Sequence, residues 1–518
     1  MLKNSTRRWL AGLGVVGAFV AASATPAAAE EPAVELGVHM TDMTIAVGTE
    51  GKVDSPTLYA SEPIVVNGLT VRYDYRDLAG KVTLKPEISG ECSTPEENVL
   101  VCQDPFEVGL DDWGIGGLFS VAIAPTKDAE DGDSGDLKVT LSAEGLQPAS
   151  HTSTVKIGEG VDLAGGTEVK ITGKPGDAFT SSLVLANVGK TAAKGAVAIF
   201  DNDRAIRPGK HYSNCTYEGD QLRTCRFTDT VEPGDTLTAE VPYLLGADTY
   251  APGREYGYHN WMTLSEFDDF VGYLSSMGVT IGKPGTDGPL TLTGQKMTQR
   301  GSFQADVDPE NNWSGMEITV TGKNGVDLAA IGDMVSGKAG AVVTATVGVR
   351  NNGPASLDFN RSGTPVTKID VTIPTGTTAV EVPDVCMPFD GENADWEHAG
   401  EPGANAYRCY PDYYIAKDEE QTVDLGLRID TVTANAEGKV VINTKCECEG
   451  FVDDTNPAND NARLVVNPAA DGGQGGGDGG LPVTGTSTGL IAGLGALLLV
   501  AGVGGYVVAK RRRTRFVA

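Results

Sequence analysis

The sequence predicts an all-β protein, a tandem array of antiparallel β-sandwich modules. Three features carry that prediction: apolar residues that alternate with period two, phrases that recur at module spacing, and turn residues scattered between apolar segments. Leu69, Val71, Tyr73 and Tyr75 alternate with Thr70, Arg72, Asp74 and Arg76, and Val343, Ala345, Val347 and Val349 alternate with Thr344, Thr346 and Gly348. Such alternation places every second side chain on one face of a half-buried strand. The 67 glycines and 27 prolines are spread through Val-, Thr- and Ala-rich segments, the pattern of short strands joined by turns. No stretch reads as a long amphipathic helix.

The recurring phrases set the modules. Gly160-Val161-Asp162-Leu163-Ala164 returns as Gly325-Val326-Asp327-Leu328-Ala329. Each copy is followed by a Gly-Lys turn (Gly173-Lys174, Gly337-Lys338), a strand-like run, and a strand end at Asn187-Val188-Gly189 or Asn351-Asn352-Gly353. Each closes on an Asn-rich acidic turn, Asp306 to Asn312 or Asp453 to Asn461, and a final strand. The expected modules are therefore 34–158, a diverged first copy, then 160–320 and 321–467. A Gly-rich linker over 468–480 follows, with a random-coil reach of about 20 Å.

All eight cysteines fall inside these modules. The repeat singles out Cys92 with Cys102, Cys215 with Cys225, and Cys386 with Cys409, each pair closing one loop within one module. In the chain-entropy model such a closure stabilises by on the order of 3 kcal/mol. Cys446 and Cys448 remain. As i and i+2 residues on a strand they share a face at the upper limit of an unstrained bridge, so either a locally kinked disulfide or a free pair is expected, with metal binding a poor third choice because only two thiols are offered.

The ends carry targeting signals. Lys3, Arg7 and Arg8 precede an uncharged run from Trp9 to about Ala24 and the small residues Ala27-Ala28-Ala29, a secretory signal peptide with cleavage expected after Ala29. Near the other end, Leu481-Pro482-Val483-Thr484-Gly485 precedes an uncharged segment from Leu490 to Ala509 and the cluster Lys510-Arg511-Arg512-Arg513. Twenty residues at helical rise reach about 30 Å, enough for a transmembrane helix, and the basic tail 510–518 would stay cytoplasmic. This order resembles the LPXTG sorting signal of Gram-positive surface proteins. The resemblance implies that a sortase cysteine attacks the Thr484 carbonyl, expels Gly485 as the new amine and passes the acyl group to peptidoglycan. Pro482 would bend the extended backbone, Leu481 would offer an apolar anchor, and Gly485 would leave the scissile bond uncrowded.

The phrase Val347 to Pro354, the paired cysteines and the closing turn from Asp306 to Asn312 resemble the immunoglobulin-like repeats of bacterial surface proteins over about residues 160 to 467. The fold this implies is a set of immunoglobulin-like β-sandwiches; function does not follow from fold alone.

Charge and motifs narrow the function. Between the two targeting segments lie all 70 acidic residues but only 32 of the 40 basic ones, a charge of −38. Such a surface repels nucleic acid and anionic lipid. Gly132-Asp133-Ser134-Gly135 copies four letters of a serine-protease motif, but the upstream His39 lacks matching context, and an acidic turn is expected. Gly189-Lys190-Thr191 lacks the first glycine of a phosphate loop. Gly485 to Gly489 fits a nucleophile elbow by spelling alone and would be discarded on sorting. The histidines His39, His151, His211, His259 and His398 have no metal-ligand spacing. The acidic turns offer oxygens for calcium, yet Asp and Asn favour turns without an ion. The expectation is a non-enzymatic, wall-anchored surface protein that displays its modules for adhesion or a structural role, with no cofactor and no metal. Its partners would be sortase, peptidoglycan, an unspecified extracellular ligand and, before sorting, the plasma membrane. The alternatives are a wall-bound enzyme or a mechanical, pilus-like stalk.

Overall fold

A computed structural model of the chain describes residues 34–87, 91–294, 303–358, 365–443 and 454–468. Strands dominate, and they assemble into one sheet arrangement repeated three times. The larger sheet of the first copy has the order Met43–Ala46, Ala149–Val161, Ser134–Ser142, Thr70–Asp74, Val99–Gln103, Glu91–Glu96. The second runs Val169–Gly173, Trp313–Asn324, Ala251–Met262, Ala196–Asn202, Gln221–Phe227, Cys215–Glu218, with the short Lys283–Pro284 added at the edge. The third runs Asp333–Val335, Asn461–Val466, Ala436–Ile442, Ile369–Thr372, Ala406–Cys409, Cys386–Pro388. In every copy the first two strands of that order are parallel, while the other neighbours are antiparallel.

The smaller sheet packs across the core. In the second copy it is Leu163–Ala164, Ala178–Asn187, Thr236–Leu245, Ile206–Pro208, and in the third Leu328–Ile331, Val342–Asn351, Glu420–Ile429, Thr377–Glu381. The alternation reads directly onto burial: Leu237, Ala239, Val241, Tyr243 and Leu245 face inward from one strand, as do Ala345, Val347 and Val349 from another. Leu69, Val71 and Tyr73 are fully buried in the first copy, and Tyr75 packs against the same cluster. Three separate hydrophobic cores result, within residues 36–157, 161–320 and 326–466. These are immunoglobulin-like β-sandwiches.

The first copy departs from its siblings in the smaller sheet. The strand equivalent to Ala178–Asn187 is split into Lys52–Asp54, paired with Val121–Pro125, and Thr57–Ala60, paired with Leu36–His39. Pro56, which has no N–H to donate, sits in the gap. Just before it Gly51 has φ +83°, and a Cβ there would lie 1.9 Å from the Ile123 carbonyl oxygen, so the chain passes only as glycine.

Among the described residues each copy has one disulfide, between directly opposite residues of the last two strands of its larger sheet: Cys92 with Cys102, Cys215 with Cys225, Cys386 with Cys409. Cys446 and Cys448 lie outside the described residues.

One element lies beyond the sequence reading. Leu264–Ser276 is an α-helix of 13 residues, here α1, where no such helix was expected. Thr263 caps it: its side chain accepts from the Glu266 N–H, and the Glu266 carboxylate returns to the Thr263 N–H. This reciprocal Thr-x-x-Glu box, ahead of Phe267 and Phe270, is a sequence-level start signal whose short apolar follow-up masked it.

Candidate functional site

The chemistry-bearing side chains gather at the joints between sandwiches and at the turns that close them. The first joint has no free linker. Ala149–Val161 begins in the first sandwich, and its last residues Glu159 to Val161 pair in parallel with Gln304–Asp306, while Val161 enters the second core. Across this seam α1 presents Glu266, Asp269, Tyr273 and Ser276, spaced so that they share one helix face. Lys52 Nζ lies 2.5 Å from Glu266 Oε1, and Lys156 Nζ lies 2.5 Å from Asp269 Oδ1. Thr44 Oγ1 donates to Asp269 Oδ2 at 2.7 Å. The Asp269 side chain is only 5% exposed, so its charge depends on Lys156 and Thr44 for compensation.

At the far end of the same stripe, His39 meets His151 with ring centroids 4.3 Å apart and Tyr273 at 5.8 Å. Ser276 Oγ is 3.2 Å from His39 Nε2. Burial, and then the neighbouring His151, hold the His39 imidazole below its ordinary pKa, opposed by the Asp42 carboxylate. Sequence spacing could not pair these two histidines, because the fold alone brings their strands together.

The second joint is built differently. Asp248 accepts from Ser356 Oγ at 2.7 Å and forms an ion pair with Arg207 at 2.6 Å. The Asp248 carbonyl accepts from the Ser356 N–H at 2.7 Å. Arg204 lies 4.5 Å over the Tyr414 ring, and Tyr250 packs against the third core.

The repeated phrases turn out to be clasps. Asp306 Oδ2 accepts from the Leu163 N–H and Oδ1 from the Asp308 N–H, while Asn311 Nδ2 donates to Asp162. In the third sandwich Asp454 Oδ2 accepts from the Leu328 N–H, Oδ1 from the Asn456 N–H, and Asn459 Nδ2 donates to Asp327. The closing turn thus holds the Val-Asp-Leu entry of its own sandwich. Burial pushes the Asp306 carboxyl up to about 6 against the pull of its two backbone donors, and burial raises Asp454 and Asp460 as well. The strand-ending asparagines form a second matched pair. Asn187 and Asn351 are fully buried, accept from the Gly189 and Gly353 N–H groups, and donate to carbonyls of Val231 and Ile415.

The remaining sequence candidates fall as follows. Asp133 of the Gly-Asp-Ser-Gly stretch pairs with Lys81 at 2.8 Å, and Ser134 opens a strand, so this is an acidic turn. Among the described residues no cluster of three His, Cys, Asp or Glu side chains is arranged to hold a metal ion. Ala29, Leu481, Pro482, Thr484, Gly485 and Asp453 lie outside the described residues. Within them no helix is long and apolar enough to cross a membrane.

No protein-family model and no curated protein sequence matches this chain. Among solved structures, the I67–I69 fragment of the titin I-band aligns over 85% of this chain and all of its own length, at 7% identity and a TM-score of 0.15. A Corynebacterium diphtheriae protein described as membrane anchored aligns over 84% of this chain and 95% of its own, at 10% identity and a TM-score of 0.14. At those scores the fold assignment stands on the strand order above.

Proposed function

We propose that this chain is a secreted surface protein of a Gram-positive bacterium, joined to peptidoglycan by a sortase at Thr484, and that it displays three immunoglobulin-like sandwiches without catalysing a reaction. The observation that carries the reading is the order of Leu481-Pro482-Val483-Thr484-Gly485, an uncharged twenty-residue segment, and a basic tail. Two features of the fold support display over catalysis. Among the carboxyls with raised pKa values, Asp306 lies in the closing turn of one sandwich and Asp454 with Asp460 in that of another, and each is already engaged by backbone N–H groups or by the Asn443 amide, whereas an acid or base catalyst needs its groups convergent in one cleft. Disulfides in every sandwich suit an oxidising, extracellular setting. The polar locks at both joints favour a load-bearing stalk as the second reading.

Fractionation of the producing cells tests the anchor. The wild-type protein is expected in the wall fraction, released only by wall-digesting enzyme, and Thr484→Ala is expected in the membrane or the medium. Release of the wild type by detergent alone would count against sorting.

A further inference from the structure

The outer face of the larger sheet in the second sandwich has a composition that the shared fold does not require. On Ala251–Met262 and Trp313–Asn324 the outward positions pair as Asn260 with Trp313, Tyr258 with Gly315, and Tyr256 with Glu317. Trp313 is 57% exposed and Tyr258 46%. A Cβ built at Gly315 would lie 3.6 Å from the Tyr258 ring, so the ring extends across the bare backbone of the next strand. Trp313 stands on that strand two residues away, a diagonal neighbour of Tyr258 within reach of an aromatic side chain. Asp201 is the partner of Tyr258 on the other side.

The equivalent strands of the sibling sandwiches carry no aromatic residue on this face. The first has Asp136 with Thr154, Lys138 with Thr152, and Thr140 with Ser150; the third has Glu437 with Val465 and Lys439 with Arg463. Two large exposed rings side by side on one sheet therefore call for an explanation other than folding, and exposed apolar patches mark contact sites.

Charge decides the kind of partner. The cations beside the rings are satisfied within the protein: Arg254 pairs with Glu317 at 3.2 Å, and Lys170 with Glu168 at 3.5 Å and Glu317 at 3.8 Å. On a chain this acidic, the face offers two ring surfaces and the Asp201 carboxylate, and no surplus cation that would hold an acidic ligand. A neutral polyhydroxylated ligand matches it. The C–H face of a pyranose is apolar and faintly positive, complementary to the negative face of an indole or phenol ring, while a carboxylate such as Asp201 accepts from sugar hydroxyls. We infer that the Tyr258–Trp313 face of the second sandwich binds a neutral polysaccharide, with adjacent sugar rings laid on the two aromatic side chains. This reading does not depend on covalent anchoring.

Affinity electrophoresis of the full-length chain in mild detergent, through gels cast with a soluble β-glucan, an α-glucan or a galactomannan, tests it. The expected result is retardation by at least one of the three, weakened roughly tenfold or more in Trp313→Ala and in Tyr258→Ala. Trp313→Phe should keep most of it, and Thr152→Ala on the matching face of the first sandwich should leave it unchanged. Unaltered thermal unfolding of the variants separates lost binding from lost fold. No retardation by any of the three glycans, retardation that survives both alanine variants, or capture by proteins alone would overturn the assignment.

Discussion

The two joints connect copies of one fold, yet they are made of different chemistry. The first places two carboxylates, two lysines and two histidines on and beneath a helix that has no counterpart among the described residues of the third sandwich; the second turns on Asp248, one arginine and one serine hydroxyl. A sandwich can be repeated without change in its core, since its strands need only alternate. A joint must recognise one particular neighbour, and buried charge does this because a wrong neighbour would leave the charge without a partner. The first joint should therefore be the stiffer and the more sensitive to conditions.

The largest effect is expected from Lys156→Met, which leaves Asp269 buried without its cation. The first sandwich should lose about 3 kcal/mol of coupling to the second, seen in calorimetry as an early transition absent from the wild type, with the third sandwich unaffected. Lys156→Met combined with Asp269→Leu should recover most of the loss, because the uncompensated charge is gone. Failure of the double variant to recover would mean that the helix docks by shape and not by charge.

Asp248→Ala at the second joint removes the acceptor of one ion pair and one hydroxyl, both partly exposed. Its cost is expected near 1.5 kcal/mol, read as faster hydrogen exchange around Ser356 without change at α1. An equal response at α1 would show the joints to be coupled through the second sandwich.

The smallest effect is that of pH. His39 has its pKa lowered in the folded state, so the unfolded chain binds the proton more readily, and the stability it contributes is lost as pH falls through the ordinary histidine range near 6.5. The groups facing it are His151, Asp42, Tyr273 and Ser276. Asp306 acts in the opposite sense. Its raised pKa of about 6 makes the folded state the better proton binder, so its contribution improves on acidification from pH 6 toward 4. Limited proteolysis at pH 7.5 and 5.5 should show the first joint, but not the second, opening in acid, and His39→Gln should remove the difference.

Much of the fold was legible in the residues. Period two located the strands at Leu69 to Tyr75 and Val343 to Val349, the repeated Asn-x-Gly steps marked real strand ends, and equal spacing paired Cys92 with Cys102 and Cys215 with Cys225. These are local signals, or signals repeated within one chain. The joints were not legible, because their partners come from different sandwiches. Lys52 and Glu266, or His39 and His151, become neighbours only when two sheets and a helix are set against one another. The helix itself was announced by Thr263 and Glu266, but only 13 residues follow from that signal, too few for periodicity to stand out among strands. The Asp306 and Asp454 turns were visible as repeats, although nothing in their spelling said that they bind the entry of their own sandwich.

The parallel pairing at the start of each larger sheet has a mechanical consequence. The strand near the entry of each sandwich lies beside its final strand and runs the same way, at Thr44 with Lys156, Ile171 with Ile318 and Val465 with Met334. Tension that draws the two ends of a sandwich apart pulls these neighbours in opposite directions along their length. The inter-strand hydrogen bonds then bear the load together, in shear, and must fail as a group, whereas an antiparallel hairpin pulled from its open end would unzip one bond at a time.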